Sequence, residues 1–292
     1  MNGILLLDKP AGLSPNAALQ RVRRMAGADK AGHVGSLDPL ATGMLPICLD
    51  EATKVAGEII SSRKAYRFTV ALGSRTSTGD LEGTVVEQAP VPALDAAMVE
   101  EVLRQFRGSL QQVPPMYSAL KRDGQPLYRL ARAGIEVERA ARQIEIFNLE
   151  LHGIEGQFLD LSVRCSKGTY VRVLGEDIAR RLGSCGHLSA LRRSYVEPFE
   201  GQPMVTLEDV EALSRAGHAL PLIPADHALP GLPAVRLPPA EAARVLQGQR
   251  VPFAGCEARG RVRLYGTDGG FMGLGEVDER AVVRPRRLLR VP

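Results

Sequence analysis

The sequence has no run of about 18 apolar residues, the length a membrane-spanning helix needs, anywhere in its 292 positions. The apolar stretch at the N-terminus, Ile4 to Leu7, ends at Asp8 and has no basic flank before it, so it lacks the make-up of a signal peptide. The reading is a cytoplasmic protein. Cysteine is scarce: Cys48, Cys165, Cys185 and Cys256 are widely scattered and form no CxxC pair, which argues against a zinc ribbon or a redox motif. The five histidines include no HxxxH spacing, and nothing in the chain asks for a metal. There is no GxxxxGK[ST] for phosphates, no GxSxG elbow and no His–Glu pair at metalloprotease spacing. The glycine-rich GTDGGFMGLG does not fit GxGxxG. Lysine is also rare, with six against 31 arginines. Arginine presents a planar fork of donors suited to phosphate and stacks on bases, which favours a nucleic-acid partner, although a GC-rich genome gives the same bias.

What is present reads as ordinary globular composition, 45% hydrophobic and 24% charged. A chain this long buries a sizeable core without disulfides. The net charge of +4 is unevenly spread: from Gly231 onward eleven arginines face six acids (+5), while residues 1–230 hold 26 basic and 27 acidic side chains (−1). A proline-rich stretch, Pro221 to Pro239, is the best boundary in the sequence. The reading is a mixed α/β (α+β) domain over residues 1–230, followed by a small β-rich domain of barrel or sandwich type over 231–292.

Local patterns place the elements. Ile4–Leu7 reads as a strand, followed by a turn at KPAG, with Ser14 as the cap and Pro15 as the first residue of a helix whose apolar face is Ala18, Leu19, Val22 and Met25. Tyr66, Phe68, Val70 and Leu72 alternate with Arg67, Thr69 and Ala71 in a strand, and Leu159, Leu161, Val163 and Cys165 do so in another. Met98, Val102, Leu103 and Phe106 predict a helix, as do Val171, Leu174 and Ile178. Val262 to Tyr265 predicts a short strand. GHVGSLDPLATGML is too punctuated by glycine and proline for a helix or a regular strand.

That punctuated segment carries the chemistry. Asp38 is a carboxylate between Leu37 and Pro39 with Leu40, Met44 and Leu45 as neighbours, a setting unsuited to a residue kept for solubility; a turn-forming Asp before Pro is the plainer alternative. By the same standard, Tyr66 and Leu191 are core residues, His33 is a loop residue and Asp80 in RTSTGD is structural, pairing with a basic neighbour.

GHVGSLDPLATGML closely resembles the catalytic motif of the TruB family, tRNA pseudouridine synthases that modify uridine 55 of the T loop. LDKPAGLS, KAYRFTVALGSRTSTGDLEG, PPMYSALKRDGQPLYRLARAG, CSKGTYVRVLGEDIARRLG and GHLSALRRSYV resemble further family blocks, in order, from Leu7 to about Val196. The resemblance implies a pseudouridine synthase fold with a mixed, largely antiparallel sheet and a small C-terminal RNA-binding domain of PUA type. It implies Asp38 as the nucleophile, Tyr66 as the residue packing on the base and the favoured proton acceptor, Tyr170 as a pocket wall, and Arg172 as the partner of the carboxylate. Leu191 would lie on the base's other side and His33 would touch the displaced RNA. Pro15 departs from the small polar residue expected there, which bears only on the helix start. No cofactor is implied, because the isomerisation neither oxidises nor hydrolyses. The implied partner is the tRNA T stem-loop, with no membrane and no protein partner required. The chain lacks the lysine-rich extensions of guide-RNA-dependent relatives, which implies a stand-alone, monomeric enzyme with tRNA-folding activity as a secondary possibility.

Overall fold

The computed structural model describes residues 2–253 and 255–290. Its centre is an eight-stranded sheet. Seven strands follow the order Gly3–Lys9, Thr42–Leu49, Gly186–Val196, Lys64–Leu72, Phe158–Cys165, Arg142–Glu155 and Gly108–Gln112, and Ala31–His33 pairs with Thr42–Leu49 off this path. The pairs are antiparallel except one: Gly186–Val196 runs parallel to Thr42–Leu49 through Thr42 and Gly43. The fold is therefore the expected α+β class with a mixed, mostly antiparallel sheet.

Alternation accounts for the central strands. Tyr66, Phe68, Val70 and Leu72 are buried, and with Leu159, Leu161, Val163 and Leu188 they join one continuous core. Against this face packs the helix Val171–Arg181, which buries Val171, Leu174 and Ile178 as its sequence spacing predicts. Gly175 permits the approach, because a Cβ there would lie 2.6 Å from Leu188 Cδ2 and 3.3 Å from Val70 Cγ2. The helix Pro15–Met25 begins at the proline, with Ser14 Oγ accepting from the Ala17 amide, so Pro15 starts the helix cleanly.

Two expectations need correction. In the helix Ala96–Arg104 the inward residues are Val99, Val102 and Leu103, while Met98 is 36% exposed. The Asp95 cap sets the phase, and Val99, Val102, Leu103 and Phe106 form the i, i+3, i+4, i+7 stripe that Met98 misses by one position. The glycine-punctuated segment around Asp38 is also more regular than its composition suggests. His33 ends one strand and Thr42 begins another, leaving only Val34 to Ala41 irregular. Gly43 makes this possible: at φ +95°, a Cβ on it would lie 2.2 Å from the Arg193 carbonyl oxygen, so the parallel strands close up only over glycine.

Within the proline-rich stretch the chain passes from one sheet to the other. Ile223 exchanges both backbone hydrogen bonds with Ile4, and Ala234–Arg236 already belongs to a five-stranded sheet. That sheet has the order Ala234–Arg236, Gly260–Tyr265, Phe271–Val277, Val282–Leu288 and Val251–Pro252, around its own core of Val235, Val262, Leu264 and Val283. It is tied to the rest by Leu274, which packs with Ile4, Val55 and Phe199, by Lys54 Nζ on the Leu288 carbonyl at 2.7 Å, and by the Arg261–Glu58 ion pair. Among the described residues no helix is long and apolar enough to cross a membrane.

Candidate active site

Asp38 sits on the Val34–Ala41 loop, anchored by fully buried Val34 and Ala41 and nearly buried Leu37. The loop is pinned from two sides. Lys9, itself fully buried, donates from Nζ to the carbonyls of Pro10 and Leu13 at 2.7 Å and of Pro39 at 3.1 Å, joining the KPAG turn to the residue after Asp38. Arg193, also fully buried, donates to the carbonyls of Val34, Gly35, Ser36 and Met44.

Arg172 reaches Asp38 from the first turn of the Val171–Arg181 helix, where Tyr170 is the extended cap residue. Its Nε lies 2.8 Å from Asp38 Oδ2 and its Nη2 donates to Oδ1 at 3.3 Å, a two-pronged grip. The remaining donors are used as well: Nη1 binds the Thr78 carbonyl and Nη2 the Tyr117 carbonyl at 2.6 Å. Asp80 stands behind, 2 % exposed, with Oδ2 3.7 Å from Arg172 Nε and Oδ1 accepting from Thr78 Oγ1 and from the Glu82 amide at 3.0 Å. The basic neighbour of Asp80 is thus Arg172. A guanidinium held at so many points has little freedom to turn away from Asp38.

Removal from water pushes the Asp38 carboxyl above the ordinary aspartate range. Arg172 is the largest opposing influence, Asp80 adds to the rise, and Lys9 reduces it. Burial pushes the Tyr66 phenol up to about 12, against the pull of Arg193, so it carries its proton at neutral pH. Burial also raises the Tyr170 phenol.

These residues surround a cavity of about 310 Å³ lined by Asp38, Tyr66, Tyr170, Val171, Arg172 and Leu191. Tyr170 is held by Gln112, which donates to its carbonyl at 3.1 Å and accepts from its amide at 2.8 Å. Five of the six candidate residues therefore converge, and His33 does not line the cavity. It ends the Ala31–His33 strand with a buried Nδ1 that has no partner among the described residues, and burial and then Arg193 lower its pKa, favouring the neutral imidazole. A larger groove of about 900 Å³ borders Leu191 with Leu40, Arg67 and Arg192, but holds none of Asp38, Tyr66 and Arg172. The chemistry favours the smaller cavity. Lys9, Gln112 and Arg193 escaped the sequence reading. For Arg193 a signal existed: Leu191 and Arg193 are alternate residues of one strand, so the apolar face of Leu191 carries the arginine inward.

Residues 23–171 match the model of the TruB family pseudouridylate synthase N-terminal domain. The chain belongs to the TruB family. Two further family models match in succession, a tRNA pseudouridylate synthase B C-terminal domain over 172–229 and a pseudouridine synthase II TruB C-terminal domain over 233–289. Full-length TruB relatives are similar throughout. The tRNA pseudouridine synthase B of Aromatoleum aromaticum is 51% identical over 289 residues, covering 99% of this chain and 93% of the relative. That of Chromohalobacter salexigens is 48% identical over 291 residues, covering 99% and 94%. Among solved structures, a Cbf5–Nop10–Gar1 complex matches with a TM-score of 0.74 at 25% identity, over 98% of this chain and 84% of that one.

Proposed function

We propose that this TruB-family chain isomerises uridine to pseudouridine at position 55 in the T loop of tRNA, using Asp38 on a base turned out of its stack. The observation that carries the reading is the Arg172 grip on Asp38 at a cavity that Tyr66 and Leu191 also line. The names of the full-length relatives supply the tRNA substrate.

The reaction breaks the bond from ring nitrogen 1 to the anomeric carbon, turns the base and rejoins it through carbon 5. Carbon 5 then loses its proton and nitrogen 1 gains one. A carboxylate serves the anomeric carbon only when ionised, and a partly desolvated carboxyl tends to protonate; Arg172 opposes that and fixes its direction. Either adding to the anomeric carbon or stabilising its charge meets the demand. Turning out a loop nucleotide costs a few kcal/mol, which contact with Tyr66 and Leu191 offsets. Because the Tyr66 phenol is protonated, it handles the carbon 5 proton by relay, its oxygen accepting that proton as its own passes to water or back to nitrogen 1 of the base. Tyr170 completes the wall, and half-buried His33 is the residue that touches the RNA left behind by the base. Residues 1–230 form the catalytic unit and 231–292 an RNA-binding unit of PUA type, in a monomeric cytoplasmic enzyme that needs no protein partner.

The test is to incubate the protein with unmodified tRNA, no cofactor added, and map pseudouridine. Conversion confined to uridine 55 is the expected result. Tight tRNA binding without conversion would replace the enzyme with an RNA-folding factor.

A further inference from the structure

Gln112 ends the strand Gly108–Gln112 and is 5% exposed, the one buried position in that strand. A side-chain amide withheld from water is costly unless its N–H and its C=O both find partners. Here both go to the main chain of a single residue. Nε2 donates to the Tyr170 carbonyl at 3.1 Å, and Oε1 accepts from the Tyr170 amide at 2.8 Å. The side chain does for Tyr170 what a neighbouring strand does in a hydrogen-bonded pair of an antiparallel sheet.

Tyr170 has need of such a partner. It is the cap residue of the Val171–Arg181 helix, and its phenol makes no cap bond. The amide of a cap residue has no acceptor within its own helix. In a capping box a Glu or Gln three positions on supplies one, but that position here is Val173. Gln112 takes its place from a separate strand. The Tyr170 carbonyl that Gln112 holds also accepts the first hydrogen bond of the helix, from the Leu174 amide at 3.1 Å. Two residues past the cap stands Arg172, whose Nε and Nη2 grip Asp38. A second tie joins the same two pieces of chain, because Arg172 Nη2 donates to the carbonyl of Tyr117, just beyond Gln112.

We infer that Gln112 is a positioning residue for the reaction: its amide fixes the Tyr170 backbone, and with it the direction from which Arg172 holds Asp38. The inference rests on the assignment of Asp38 and Arg172 made above. The site demands one donor and one acceptor side by side in a plane, which an amide supplies and an ionised carboxylate, with two acceptors, does not.

Gln112→Leu keeps the bulk and removes both hydrogen bonds. With unmodified tRNA its single-turnover rate should fall about tenfold or more, the scale of a small misplacement of reacting groups, while tRNA affinity stays within about threefold. The acid limb of its rate profile should move upward, because a looser Arg172 grip leaves Asp38 easier to protonate. The loss should be non-additive with Arg172→Lys, since both substitutions act through one contact. A merely structural glutamine would lower the melting temperature and leave the rate of the folded enzyme and its acid limb unchanged. A folded Gln112→Leu enzyme with the wild-type rate, or losses that simply add in the double variant, overturns the inference.

Gln112→Glu covers the case in which Gln112→Leu does not fold. A protonated carboxyl still donates through its hydroxyl and accepts through its carbonyl, whereas an ionised one turns an acceptor toward the Tyr170 carbonyl. Burial raises such a carboxyl above the ordinary ~4.3. The rate of Gln112→Glu relative to wild type should therefore be highest near pH ~5 and fall about tenfold toward pH ~9. Arg142 across the strand pair, and Arg75, Arg139, Arg180, Glu136, Glu176 and Asp177 around the neighbouring polar cavity, are common to both proteins, so the ratio isolates the new carboxyl. A ratio that does not fall with pH refutes the role. Asp38→Asn serves as the control: wild-type turnover there would remove the site assignment itself, whereas an inactive Asp38→Asn beside a fully active Gln112→Leu would remove only the role of Gln112.

Discussion

The arginines beside the Asp38 cavity and those of the C-terminal sheet put one side chain to opposite uses. Arg172 and Arg193 are buried, and nearly every N–H they carry is given to a carbonyl or to Asp38. In the C-terminal sheet Arg236 and Arg287 are exposed and, among the described residues, have no side-chain partner, while Arg284 and Arg286 pair with Asp278 and Glu276 near the surface. Buried, the guanidinium is a structural fork whose removal leaves several polar groups unsatisfied. Exposed, it is a charge in water, worth little to the fold and available to phosphate. Composition counts both kinds together, so an arginine-rich chain reveals its chemistry only after burial has sorted them.

The strongest way to break this contrast is to remove the charge that the buried arginine serves. Asp38→Asn is nearly isosteric but cannot ionise, and it should lower turnover about a thousandfold or more, ~4 kcal/mol. Affinity for tRNA should stay within about tenfold, ~1.4 kcal/mol. Single-turnover rates and a binding isotherm on the same preparation check both.

A second substitution probes the backbone that lets Arg193 lie so close. In Gly43→Ala the new Cβ, whose position the backbone fixes, meets the main-chain carbonyl oxygen of Arg193, and no side-chain torsion can move either atom aside. The parallel pairing of Thr42 and Gly43 with Arg192 and Arg193 should open, at a cost of ~3 kcal/mol or more. A denaturant midpoint equal to that of the wild type would show that the two strands tolerate separation.

How much of this was legible follows from which contacts are local. Alternation in 66–72 and 159–165 located the central strands, and Ser14 with Pro15 located a helix start, because each signal lies within a few residues. Asp38, Tyr66, Tyr170, Arg172 and Leu191 were named through ordered family blocks, while their convergence on one cavity is a matter of geometry. Asp38 and Arg172 are 134 positions apart, and no periodicity joins them. Lys9 went unnoticed because a lysine after a strand reads as solvated, whereas here three carbonyls take the place of water. Met98 shows the limit of spacing alone: apolar residues 98, 102, 103 and 106 fit a helix, and only the phase set by the Asp95 cap turns Val99 inward and Met98 out. His33 was named with the others and lies outside the cavity.

The grip on Asp38 can be tested by shape and by pH. Arg172→Lys keeps the charge but loses the two-pronged contact and should lower the rate about tenfold or more, with tRNA affinity little changed. Arg172→Ala should be worse. Arg172 favours the ionised form of Asp38 and burial disfavours it, so removing the arginine raises the carboxyl pKa further and shrinks the active fraction at any given pH. The activity lost in Arg172→Ala should therefore return in part as pH rises, with the acid limb of its rate profile displaced upward from that of the wild type. An undisplaced limb would separate Arg172 from the ionisation of Asp38.

The smallest effects belong to the exposed arginines, and they sharpen the contrast from the other side. Replacing both Arg236 and Arg287 by Gln removes no partner and opens no cavity, so stability should change by no more than about 0.5 kcal/mol. If these side chains meet tRNA phosphates, each lost contact should flatten the dependence of log affinity on log salt by about 0.7 to 0.9. The double variant should then bind more weakly at low salt and approach the wild type as salt rises, with the single-turnover rate at saturating enzyme unchanged. Arg286→Gln is the internal comparison. Glu276 already neutralises Arg286, so its loss should flatten the slope less than loss of either free arginine. Equal slopes for wild type, the Arg236/Arg287 double variant and Arg286→Gln would leave the +5 balance of the C-terminal segment with no part in binding RNA.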